Sequence, residues 1–168
     1  MGLEFGIDLS FKTPKAVSAY NAFCEYNYIS SSNFFSTEDG YYIPDTYDED
    51  AECPITIEAC YWRKFYSFYG EVFELLGRKS AYITNAATLQ NIYNLLYKYT
   101  EKEYFDIQDK EPYYWDYYEY LDTIYKQLSN LKKLIGLTLW LTDEKEGLII
   151  ANAEADKNAD IEIYFYFS

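Results

Sequence analysis

A chain of 168 residues with 49% hydrophobic and 21% aromatic side chains carries enough apolar material for one full core, which excludes a disordered acidic tail. Its net charge of −14, from 28 acids against 14 bases, opposes direct binding to nucleic acid or to an anionic membrane and attracts basic surfaces at long range. The sequence has no histidine, which removes the commonest general base near neutral pH, Ser–His and Cys–His nucleophile pairs, and most zinc and haem ligation.

In chain order, the first element predicted is a half-exposed strand. Leu3, Phe5, Ile7, Leu9 and Phe11 alternate with Glu4, Gly6, Asp8 and Ser10. Thr13 followed by Pro14 is a helix start, and Val17, Tyr20 and Phe23 form an apolar stripe that fades near Tyr28. From Ser30 to Pro54 the chain turns polar, with Asp39-Gly40, Pro44 and the acids Asp45, Asp48, Glu49, Asp50 and Glu52, and a long acidic loop is expected. So long a connection is unusual in a compact domain unless it has a function.

Ile55, Ile57 and Ala59 could begin a strand, but Trp62, Phe65, Tyr66, Tyr69, Phe73 and Leu76, closed by Gly77, suit a helix from Tyr61 onward. A second helix in this middle stretch is expected after Thr84 or Asn85, through Leu89, Ile92, Leu96 and Tyr99. A third follows Pro112, through Leu121, Leu128 and Leu131. Leu137, Leu139 and Leu141, a turn over Asp143 to Gly147, and Leu148 to Ile150 then read as a hairpin, and Ile161, Ile163, Phe165 and Phe167 as a last strand. The fold class is therefore α+β, one domain in which an antiparallel sheet of the first strand and the C-terminal strands packs against about four helices.

Cys24, Cys53 and Cys60 show no CxxC spacing and are too few for a four-ligand zinc site, so they read as buried thiols in a reducing cytosol. Met1-Gly2-Leu3-Glu4 has no basic region or apolar signal core, and Gly6 stands where a myristoylation signal needs Ser or Thr. The apolar stretch around Leu134 to Leu141 is interrupted by Gly136 and Thr138 and is far shorter than the roughly 18 residues that cross a bilayer. A cytoplasmic protein without a membrane partner is expected.

The segment Glu101 to Asp122 is the most distinctive. It interleaves Glu101, Glu103, Asp106, Asp109, Glu111, Asp116, Glu119 and Asp122 with six tyrosines. On a helix, Tyr114, Tyr117, Tyr118, Leu121, Tyr125 and Leu128 would share a core face, with Asp116, Glu119 and Asp122 stepping around the opposite one. Same-face groups three or four apart lie about 5–6 Å from each other, comparable to phosphates along a strand, so such a face can stand in for a phosphate backbone. A merely solvated acidic helix has the same pattern.

On these two acid runs, 45–52 and 101–122, the chain resembles the small acidic inhibitors of phages and mobile elements, the DNA-mimic anti-restriction and anti-CRISPR proteins, and also acidic immunity proteins that neutralise nuclease toxins. The resemblance is one of composition, with no motif to place on particular residues. It implies a non-enzymatic inhibitor, acting in a bacterial host cell, whose carboxylates occupy the basic nucleic-acid channel of a nuclease or defence effector, with fast, salt-sensitive association.

Other chemistries find weaker footing in the residues. Asp156, Asn158 and Asp160 match the first oxygen positions of a calcium loop, but Ile161 replaces its glycine and Phe167 its closing glutamate. Asp143-Glu144-Lys145 resembles a nuclease acid-x-Lys pair, yet falls in the expected turn. Trp115 beside Asp116 and Glu119 could form a sugar platform with paired carboxylates, the basis for a carboxylate-dependent enzyme or glycan-binding module. No glycine-rich phosphate loop occurs, and no cofactor or metal is expected. Exposed tyrosines would also suit a homodimer or a structural protein.

Overall fold

The alternation at the N-terminus does form a strand, and it becomes the centre of the sheet. In the structure, a computed structural model, residues 3–29, 34–35, 55–107, 116–143, 147–152 and 158–168 are described. Strand β1 (Glu4–Phe11) buries Phe5, Ile7, Leu9 and Phe11 to 1% exposure or less. It pairs antiparallel with β2 (Ile55–Arg63) on one side and β4 (Ile161–Phe167) on the other. The two-residue β3 (Ala81–Tyr82) completes the order β2-β1-β4-β3. The two chain ends close as expected: Ser168 N–H donates to the Glu4 carbonyl at 2.8 Å.

Local signals set most helix ends. Helix α1 (Pro14–Tyr26) starts at Thr13, whose hydroxyl accepts from Ala16 N–H at 3.2 Å. Helix α2 (Tyr66–Leu76) stops at Gly77, whose φ of 74° favours a residue without Cβ. Helix α3 (Ala86–Tyr97) is capped by Asn85, which accepts from Thr88 N–H at 2.8 Å. A 3-10 turn (Lys98–Thr100) leads to α4 (Lys102–Ile107), and α5 (Tyr117–Leu141) is the longest described helix. The helices pack on the face that carries Phe5 and Phe11. The Phe5 ring lies 5.2 Å from Tyr69 and 5.9 Å from Phe68, and Phe11 lies 4.7 Å from Tyr20. The result is the α+β arrangement of a four-stranded antiparallel sheet and helices.

Three expectations fail, each for a packing reason. The helix expected from Tyr61 begins only at Tyr66, because β2 continues to Arg63 and Trp62 stacks on Phe5 at 5.3 Å. The register skips a residue between the Ile7–Cys60 and Asp8–Glu58 pairs, leaving Ala59 as a bulge. That shifts the phase of the buried side chains, Ile57, Ala59, Cys60 and Trp62, so β2 loses its period of two. Lys64, with φ 56°, then turns the chain into α2.

The first arm of the expected hairpin, Leu137–Leu141, is instead the end of α5. Leu134, Leu137, Thr138 and Leu141 are buried at helical spacing, whereas Leu139 is 57% exposed. Leu148 N–H donates to the Leu141 carbonyl at 3.1 Å, and Ile150 makes a parallel bridge to Ile161. The core face of α5 is also rotated from the expected one. Tyr120, Ile124, Leu128 and Leu131 are buried, Tyr118 and Tyr125 are 80% and 52% exposed, and Tyr114 lies outside the described residues.

Cys24 and Cys60 are buried free thiols, and Cys53 lies outside the described residues. Of the acidic loop expected over 30–54, only Phe34 and Phe35 are described. Phe34 is buried against Phe23 at 5.4 Å. No described helix is long and apolar enough to cross a membrane.

Candidate functional site

The start of α5 is built by a capping interaction and an aromatic plug. Asp116, in extended conformation, accepts from Glu119 N–H at 2.9 Å and so satisfies one of the orphan donors of the first turn. Glu119 lies exposed in that turn, where the helix dipole favours negative charge. Asp122 is exposed one turn on, and Lys126 stands 3.8 Å from it on the same helix. Both partners of that pair are solvated, so it contributes little.

Underneath, Phe105 of α4 packs 5.6 Å from Tyr117 and 5.1 Å from Tyr120, and the Tyr117 hydroxyl donates to the Thr100 carbonyl at 2.5 Å. These contacts hold α4, with exposed Glu101 and Glu103 at its start, at the same end as the first turns of α5. Lys98 in the preceding turn is engaged by Glu71, whose carboxylate also accepts from the Tyr99 hydroxyl. The Lys98 ammonium lies 5.4 Å and 5.9 Å from the Tyr99 and Tyr104 ring centroids, so α2, α3 and α4 are tied at one point.

Of the acids singled out by sequence, Asp116, Glu119 and Asp122 therefore share one helix end. Asp106 falls in the last turns of α4. Asp45, Asp48, Glu49, Asp50, Glu52, Asp109 and Glu111 lie outside the described residues, as does Trp115.

A second polar centre, absent from the sequence reading, lies on the sheet face opposite the helices. The register sets Glu58 and Tyr164 on either side of Asp8, and Tyr61 and Tyr166 on either side of Gly6. The Tyr166 hydroxyl donates to Glu58 Oε2 at 3.2 Å, while Asp8 Oδ1 is buried with no hydrogen-bond partner. Burial, and then the Glu58 charge, push the Asp8 carboxyl up to about 6. Burial also raises the Tyr166 hydroxyl, with the Glu58 and Asp8 charges adding to it. In the sequence Asp8 was visible as a polar residue of a strand, while Glu58 lay in a stretch that could only begin one. The signal that joins them is strand register, which no local pattern reveals.

Asp160, from the calcium-like run, is used otherwise. Its Oδ1 accepts from the Thr13 hydroxyl at 2.9 Å and its Oδ2 from Ile149 N–H at 3.0 Å, stapling β4 to the start of α1. Asp156 is outside the described residues. Asp143 follows α5, and its carbonyl accepts from Gly147 N–H at 2.7 Å, while Glu144 and Lys145 are not among the described residues. Among the described residues no three acids or cysteines are grouped to hold a metal ion. No protein-family model matches the chain, and no curated protein or solved structure matches it.

Proposed function

We propose that the protein is a non-enzymatic acidic inhibitor that binds the basic nucleic-acid-binding surface of a partner protein in the cytoplasm of a bacterial host. The observation that carries this reading is the exposure of Glu119 and Asp122 on the first turns of α5, in a chain of net charge −14. The Phe105–Tyr117–Tyr120 cluster beneath holds those turns in place, so the carboxylates are presented without ordering a flexible segment on binding. Presented at one-turn spacing, they take the place of backbone phosphates in a basic channel. An immunity protein that neutralises a nuclease toxin would use the same surface.

A carboxylate-dependent enzyme or glycan-binding module could draw on Asp8 and Glu58. Asp8 Oδ1, buried without a hydrogen-bond partner, offers that reading no proton path at this oxygen. The test is affinity capture from a bacterial lysate containing nucleases and defence complexes, washed with rising salt. Salt-labile capture of a nucleic-acid-binding protein, lost in an E119K/D122K variant, supports the proposal. Capture indifferent to salt or to the charge reversal overturns it.

A further inference from the structure

Directly opposed like charges on neighbouring strands destabilise a ladder, and Asp8 and Glu58 are such a pair. They sit beside the Ala59 bulge, where the β1–β2 ladder is already interrupted. The residues paired with Asp8 bring no positive charge to hold a negative one on it. From β2 it faces Glu58, with Tyr61 further along the strand; from β4 it faces Tyr164, with Tyr166 further along the strand. The bases at either end of this face are engaged elsewhere, Arg63 with Glu4 at 3.8 Å and Lys12 with Glu162 at 3.3 Å. The Tyr166 hydroxyl goes to Glu58, which leaves the buried Asp8 Oδ1 without a donor.

We infer that Asp8 and Glu58 form a proton-operated clasp between β1 and β2, closed when the pair holds one proton and loosened when both carboxylates are charged. The hydrogen bonding decides where the proton rests: Glu58 has a donor to support its charge, so Asp8 carries it. The carboxyl's position at about 6, set by burial first and the Glu58 charge second, puts the switch just below neutral pH. The sign follows from linkage. The ordinary carboxyl value is 3.8, so between the two values the folded chain holds a proton that the unfolded chain has released. Stability from the clasp is present in acid, declines as pH rises through that window, and is gone above it.

The primary experiment is a carbon-13 NMR titration of the Asp8 carboxyl in the full chain, with amide hydrogen exchange read along β1 and β2. A midpoint near 6 is expected, and one near the ordinary 3.8 overturns the inference. Corrected for intrinsic rates, protection at the Asp8–Glu58 step should fall on the order of tenfold between about pH 5 and about pH 7.5, and in D8N it should stay level. A D8N profile that tracks the wild type overturns the clasp. E58Q supplies an independent reading on wild-type Asp8: its midpoint should move towards the ordinary value, and an unmoved midpoint shows the two carboxyls are not a pair.

Discussion

Tyr166 lies across Gly6. The two face each other in the β1–β4 register, and a Cβ on Gly6 would fall 2.7 Å from the Tyr166 hydroxyl and collide with the Cys60 carbonyl oxygen. The bare Cα lets the aromatic ring reach over β1 to Glu58 on the far strand. G6A is therefore expected to cost about 1–3 kcal/mol through overpacking, because one of the obstructing atoms is backbone. Urea unfolding checks it, and a wild-type midpoint would mean that the strands do not approach so closely. Y166F keeps the ring and removes the hydroxyl, and should cost less, about 0.5–1.5 kcal/mol.

Leu137 and Leu139 separate the two readings of the same leucines. In a hairpin strand both would face one way, whereas in α5 Leu137 is fully buried and Leu139 is 57% exposed. L137A should cost about 2–5 kcal/mol, while L139A should change stability by less than about 0.5 kcal/mol. Equal losses in thermal or urea unfolding would favour the strand.

That contrast shows what the sequence could reveal. Features decided within a few residues were legible: the alternation of β1 and β4, the caps Thr13 and Asn85, the stop at Gly77. Errors arose where long-range packing set the phase. The Ala59 bulge disguised β2, and Leu137, Leu139 and Leu141 alternate in sequence while only two of them enter the core. The acids of α5 were legible as charge. The Asp8–Glu58 pair was not, because the two meet only through register.

Asp160 joins three segments with one carboxylate. It accepts from Thr13, which itself caps α1, and from Ile149 N–H. D160A should cost about 1–3 kcal/mol by leaving two donors without their acceptor. With the carboxylate so occupied, calcium should not raise the thermal midpoint of the wild type. A calcium-dependent rise would restore the metal-loop reading of this run.

Asp116 has two possible duties, and substitution can separate them. As N-cap it accepts from Glu119 N–H, a role that asparagine fills nearly as well and alanine does not. As a contact for a basic partner it would act through its charge, which asparagine lacks. D116A should lower stability by about 1 kcal/mol and D116N by much less, measured by urea unfolding. Once a partner has been captured, D116N then reads the charge alone. Weakened binding that is steepest at low salt assigns the carboxylate to the interface. Unchanged binding in D116N, with loss in E119K/D122K, would confine Asp116 to holding the helix that presents the other two.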